Sequence, residues 1–138
     1  MVIKVSMPNG ADSGVSEKAV FVIRSATPSE KRENPQVLST IWTGSAKIYP
    51  AETLDELAAK FSSAIKLARL TAPNGTTLFV SMANVVDADP PSDQDAQSTR
   101  TVLYADSKPK APRQGVREDV GQLRALWAAQ GLPLDVFS

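Results

Sequence analysis

Two residue types that often do chemistry in proteins are missing from this chain. It contains no histidine and no cysteine, which excludes imidazole proton transfer, thiol nucleophiles, disulfides and zinc sites with Cys or His ligands. Acid–base chemistry is left to carboxylates, and nucleophilic chemistry to Ser or Thr with a Lys base. The sequence also lacks the glycine-rich motifs that bind phosphate groups.

The adjacent carboxylate pairs have ordinary structural explanations. Asp55-Glu56 and Glu118-Asp119 each lie at the start of a predicted helix, where acidic side chains interact favourably with the helix dipole. Ser45 and Lys47 share a face of a predicted strand, but nothing else in the sequence marks a catalytic dyad. We therefore predict no catalytic residues and no enzymatic activity, with carboxylate or Ser–Lys chemistry as the remaining enzymatic alternative.

The segment from Asp87 to Asp95 carries four acidic residues and no basic ones. Ser92 and Ser98 stand where a calcium-binding loop needs Gly and Glu, so this segment matches such a loop in composition only. We predict no metal site and no cofactor. The acidic segment instead faces solvent, a partner, or the basic stretch of the same or a neighbouring chain.

Basic and aromatic residues suggest a second kind of function, the binding of single-stranded nucleic acid. The stretch from Arg100 to Arg117 carries five basic residues and one acidic residue, and aromatic side chains on strands can stack on bases. However, 15 basic and 15 acidic residues balance over the whole chain, and nucleic-acid-binding proteins usually carry a basic excess. The candidate nucleic-acid contacts are Lys31, Arg32, Trp42, Lys47, Arg100, Lys108, Lys110 and Arg113.

The hydrophobic pattern predicts an α+β fold whose antiparallel sheet consists of an N-terminal strand and two hairpins. Residues 8–17 and 25–36 contain mostly turn-forming and polar residues, which indicates loops. Thr53 to Glu56 forms a capping box that predicts a long amphipathic helix. The predicted elements are strands at 2–7, 19–24 and 37–49, a helix at 53–70, strands at 76–86 and 99–105, and a helix from 116 that ends near Gly131.

The C-terminal part of the chain is unusually apolar for a chain end. We divide the sequence into a core domain, residues 1–107, and a unit of residues 108–138 that comprises a Pro/Lys connector, an amphipathic helix and an apolar tail. That unit packs on its own core or on a neighbouring subunit. The candidate interface residues are Val116, Val120, Leu123, Trp127, Leu134, Val136 and Phe137.

These features favour a non-enzymatic protein that self-associates into a homo-oligomer, because zero net charge removes the repulsion that opposes association. Antiparallel strands followed by a terminal helix and tail bear a loose architectural likeness to small viral coat subunits and to small single-strand-binding domains. Neither likeness rests on a diagnostic motif. The N-terminus does not resemble a secretion signal and no segment is apolar enough to span a membrane, so we expect no membrane partner and a location in the cytoplasm or a virion.

Overall fold

The computed structural model describes residues 2–106 and 112–137. They form a mixed α+β fold with antiparallel sheets, as predicted. Short 3₁₀ turns lie at Met82–Asn84 and Asp135–Phe137. The strands are β1 (Val2–Ser6), β2 (Asp12–Ser16), β3 (Val20–Ser25), β4 (Ser39–Thr43), β5 (Lys47–Ile48), β6 (Leu67–Thr71), β7 (Thr77–Ser81), β8 (Asp87–Asp89), β9 (Thr101–Tyr104) and β10 (Arg113–Val116), and the helices are α1 (Pro28–Glu33), α2 (Leu54–Ser62) and α3 (Val120–Ala129).

A five-stranded sheet of order β5-β4-β3-β7-β6 forms the middle layer. One face packs against the β1–β2 hairpin and α2, with Val5, Leu57 and Phe61 in the shared core. The other face packs against a three-stranded sheet of order β10-β9-β8 and against α3, through Leu103 and Leu123. The chain therefore buries two hydrophobic cores, one on each side of the central sheet.

The middle strand β3 belongs to both cores. Its pairing with β4 shifts register between Val20 and Val22. Val20 and Ile23 lie in the core under the hairpin, whereas Phe21 and Val22 both lie in the core under α3. An extra residue in one strand has this effect, because it lets two successive side chains enter the same core. The prediction that residues 19–24 form a central strand buried on both faces is confirmed.

The two sheets meet at the outer edge of β6. The N–H of Arg117 donates to the carbonyl oxygen of Thr71 at 2.9 Å, and the N–H of Thr71 donates to the Glu118 carboxylate at 2.9 Å. The Arg117 guanidinium donates to the carbonyl of Pro73 in the neighbouring turn, and the Thr101 hydroxyl donates to the Glu118 carbonyl. Glu118 lies just before the start of α3, but its carboxylate joins the sheets, and Asp119 and Gln122 form the capping box of α3.

The C-terminal helix and tail pack on the core of the same chain. Trp127 and Phe137 meet edge to face, with ring centroids 5.0 Å apart. Gly131 has φ +71°, the left-handed conformation that commonly ends a helix. The tail can therefore turn back after α3 and place Phe137 beside Trp127.

The predicted helix at 53–70 is wrong in its second half. The Thr53 capping box is present, but α2 ends at Ser62 and the chain continues as strand β6. Along β6 the side chains alternate, with Ala68 and Leu70 in one core and Leu67 against the other. Because Ile65 and Ala68 continue the three- and four-residue spacing of the apolar residues in α2, the periodicity alone did not show where the helix ends.

Two predicted loops contain regular structure. Residues 12–16 form β2, which pairs antiparallel with β1, so the loop predicted at 8–17 shrinks to a hairpin turn. Residues 28–33 form α1, whose N-cap Thr27 makes a capping box with Glu30. Both segments are too polar to show a hydrophobic period, because β2 buries only Val15 and α1 buries no residue.

The first predicted hairpin is confirmed in its pairing, because β3 pairs antiparallel with β4, but its second strand and the second hairpin need correction. The strand predicted at 37–49 turns back near Gly44 and forms β4 and β5, with the Thr43 hydroxyl donating to the Ala46 carbonyl at the turn. The hairpin predicted over 76–105 is absent, because β7 pairs with β3 and β6 whereas β9 pairs with β8 and β10. The apolar runs correctly located these strands, but which strands pair depends on contacts distant in sequence.

Glu118→Ala should destabilise the fold by about 1–3 kcal/mol, because it leaves the Thr71 N–H without its acceptor at a partly buried position. Glu118→Gln keeps an acceptor oxygen and should recover most of that loss. Urea denaturation of the two variants and the wild type measures the difference. Equal denaturation midpoints for all three proteins would contradict the role assigned to Glu118.

Candidate functional site

The β1–β2 hairpin has two edges that differ in their hydrogen bonding. The N–H of Met7 donates to the carbonyl of Ala11 at 2.8 Å, and bonded pairs alternate with non-bonded pairs along an antiparallel ladder. The register pairs Ser6 with Asp12 and Lys4 with Gly14. The backbone polar groups of these four residues therefore point outward, away from the other strand of the hairpin.

The outer edge of β1 is closed by the segment that leads into α2. The Ser6 N–H donates to the Glu52 carboxylate at 2.9 Å, and the Ser6 carbonyl accepts from the Ala51 N–H at 2.8 Å. The Lys60 ammonium donates to the Lys4 carbonyl at 3.0 Å and forms an ion pair with Glu52 at 2.8 Å. No further strand can pair with β1 unless these contacts break.

The outer edge of β2 is open. The backbone N–H and C=O groups of Asp12 and Gly14 form no hydrogen bond within residues 2–106 and 112–137, and both residues are exposed. Ser16 at the end of the strand is also exposed, and its carbonyl accepts from the Ala19 N–H in the following turn. A row of unpaired backbone groups is the feature by which strands recruit other strands.

The remaining strand edges differ in how far they are covered. Arg117 and Glu118 close β6 at Thr71, whereas the outward backbone groups of the exposed Arg69 have no hydrogen bond in the described residues. β8 contacts the 3₁₀ turn at 135–137. On β10, the Gly115 carbonyl accepts from the Gln114 side-chain amide at 2.8 Å. β5 has only two residues. In the part of the chain that the structure describes, β2 thus presents two exposed residues with unpaired backbone groups, Asp12 and Gly14, on one edge.

Most of the predicted interface residues lie inside the chain's own core. Val116, Leu123, Trp127 and Phe137 are buried, and Val136 is partly buried against the same core. Val120 and Leu134 are 37% and 38% exposed. The structure therefore gives most of the C-terminal apolar residues a role in cis packing and leaves only these two on the surface.

The predicted nucleic-acid contacts are distributed over several elements. Lys47 lies over the Trp42 ring at 5.1 Å, and Trp42 packs against Phe21. Lys31 and Arg32 are exposed on α1, and Arg100 is exposed just before β9. Arg113 lies over the Tyr104 ring at 5.8 Å. Lys108 and Lys110 fall outside the described residues. Of the other candidates, Trp42 and Lys47 contact each other within the part of the chain that the structure describes.

The acidic segment contacts the basic stretch of the same chain. Asp95 forms an ion pair with Arg113, which is the intrachain form of the contact that the sequence suggested. The Ser92 N–H is the largest cause of the lowered pKa of Asp95, and the charge of Arg113 acts in the same direction. Arg113 is therefore already engaged by a carboxylate, which reduces its availability to a phosphate group.

A polar cluster between α1 and the central sheet involves Glu30, which sequence reasoning did not select. Its carboxylate accepts from Arg24, the Thr27 N–H and the Thr40 hydroxyl. Burial disfavours its ionised form, but these hydrogen bonds outweigh burial and lower the pKa of Glu30 to about 2. The signal that would have located this cluster is the Thr27-Pro28-Ser29-Glu30 capping box.

Comparison with protein families, curated proteins and solved structures found no match for this chain. None of the helices in the described part of the chain is long and apolar enough to cross a membrane. The assignment of function therefore rests on the chemistry and geometry of the surfaces described above.

Replacing Glu30 by Gln should reduce stability in a pH-dependent way. The folded-state pKa of about 2 lies below the usual 4.5, so ionised Glu30 stabilises the fold above pH 4.5, and this contribution is lost as pH falls towards 2. We expect a loss of about 1–2 kcal/mol at pH 6, discounted because the site reaches solvent. Urea midpoints measured from pH 6 to pH 2.5 should converge for wild type and Glu30→Gln. Glu33→Gln, exposed on the same helix, should track the wild type throughout.

Proposed function

We propose that this protein is a non-enzymatic structural subunit that self-associates through the edge of β2. The observation that carries the proposal is the contrast between this open edge and the closed outer edge of β1 in the same hairpin. Asp12 and Gly14 expose backbone groups without partners in the described chain, whereas contacts from Glu52, Ala51 and Lys60 close the opposite edge of the same hairpin. Sheet edges that are left open in a folded protein are sites for pairing with another chain.

Two copies of β2 can pair antiparallel about a twofold axis at Gly14. In that register Asp12 of one copy lies opposite Ser16 of the other, so no like charges face each other. Gly14 lies opposite Gly14 of the second copy, and neither residue has a side chain. The two hairpins then form one four-stranded sheet. An interface of this kind is isologous, because the same residues contribute from both subunits.

The proposal extends to a role as a coat or assembly subunit, located in the cytoplasm or in a virion. It requires a second interface in addition to β2, for which the exposed Val120 and Leu134 are candidates. Binding of single-stranded nucleic acid stays an alternative prediction. The test of this alternative is whether the binding of a labelled oligonucleotide, followed by fluorescence anisotropy, weakens as the salt concentration rises.

Substitutions at Ser16 test the register through opposite charges at one position. Ser16→Asp places like charges opposite Asp12 at two symmetric sites and should weaken the dimer about 2- to 30-fold, whereas Ser16→Lys should strengthen it. Ser16 is exposed on β2, so we expect both variants to keep the fold. Sedimentation equilibrium at low salt measures the dissociation constants.

A wild-type protein that remains monomeric at millimolar concentration would contradict self-association. A dimer whose affinity is the same in both variants would contradict the β2 interface alone. Deleting residues 116–138 is unsuitable as a test, because it removes buried core residues such as Leu123 and Trp127. The full-length chain is therefore used throughout.

A further inference from the structure

A cavity of about 550 Å³ lies between the turn of the β1–β2 hairpin and α1. The hairpin contributes residues 7–13 other than Gly10, and the opposite wall comes from α1, the segment after it and Tyr49. Cavities of this size, with an apolar lining and a few polar groups, are typical of sites that bind small ligands or single side chains. Neither the stability of the fold nor the pairing of β2 explains this cavity.

The lining combines apolar and acidic groups without a basic one. Met7, Val37 and Tyr49 supply apolar and aromatic surface, and Tyr49 is 38% exposed. Asp12 and Glu33 are exposed carboxylates that have no hydrogen bond or ion pair within residues 2–106 and 112–137. No Lys or Arg lines the cavity in the described part of the chain.

Glu30 also lines the cavity, but it does not supply a free negative charge. Arg24 forms an ion pair with it at 2.9 Å, and the Thr27 N–H and the Thr40 hydroxyl donate hydrogen bonds to the same carboxylate. The negative charge available to a ligand therefore comes from Asp12 and Glu33. Because both carboxylates border a cavity with an aromatic wall, the site is more specific than an exposed acidic surface.

We propose that this cavity binds an alkylammonium group, either a free polyamine or the side chain of a lysine in another protein. The carboxylates of Asp12 and Glu33 accept charge-assisted hydrogen bonds from the ammonium. The Tyr49 ring attracts a nearby cation. Met7 and Val37 provide an apolar surface for the methylene stem. Anions would be repelled, and a neutral alkyl chain would leave the carboxylates without a partner.

The primary experiment is a titration of ¹⁵N-labelled full-length protein followed by NMR, with n-pentylamine and n-pentanol as matched probes. The two share the same stem and differ in charge. We expect pentylamine to shift the amide signals of residues 7–13, 33–37 and 49, and pentanol to shift them much less. Equal effects of both probes, shifts confined to other regions, or no shifts at 20 mM probe would overturn the proposal.

Variants away from the β2 edge separate this site from the dimer interface. Glu33→Gln should weaken pentylamine binding about three- to fivefold, and Tyr49→Leu, which keeps an apolar side chain, about two- to fivefold. Asp55→Asn removes an equal charge from α2, outside the cavity, and should change affinity less than twofold. Equal weakening by Glu33→Gln and Asp55→Asn would show a general charge effect and overturn the site.

The source of the ammonium group is identified by two further probes, spermidine and a short peptide with one lysine between blocked termini. Tighter binding of spermidine assigns the site to a free polyamine, and tighter binding of the peptide assigns it to a lysine side chain. Either result supports the proposal. Dimerisation measured in the same samples is expected to persist in Glu33→Gln and Tyr49→Leu, so the two proposals fail independently.

Discussion

The fold depends on a single strand that is buried on both of its faces. β3 lies in the middle of the central sheet and contributes Val20 and Ile23 to one core, and Phe21 and Val22 to the other. The shift in its pairing with β4 makes this division possible, since two consecutive side chains enter the core under α3. The other layers, from the hairpin to the C-terminal tail, pack on one face or the other of the sheet that this strand centres.

Burial on both sides also explains which parts of the fold could be predicted. Continuous apolar runs such as 19–24 identify a central strand whatever its partners. The Thr53 capping box correctly located the start of α2, and Gly131 correctly marked the end of α3. Apolar spacing did not locate the end of α2, because Ile65 and Ala68, which lie beyond it, continue the helical spacing.

The candidate sites were harder to predict than the elements. β2 and α1 are largely polar, so neither produced a hydrophobic pattern, although both border the surfaces that now carry the functional proposals. Residue type suggested an interface at the C-terminus, yet Leu123 and Trp127 are buried in the chain's own core. Whether an apolar side chain is buried within its own chain or exposed to a partner depends on long-range packing, which composition does not encode.

The proposed function depends on which strand edges the fold leaves open to another chain. Contacts close the outer edge of β1 and close β6 at Thr71, whereas β2 keeps the outward backbone groups of Asp12 and Gly14 exposed. The most direct measurement is hydrogen–deuterium exchange at the Asp12 and Gly14 amides as a function of protein concentration. Self-pairing predicts that exchange at these two amides slows as concentration rises, while exchange at Val5, inside the hairpin ladder, stays constant. Exchange at Asp12 and Gly14 that does not depend on concentration would contradict the account.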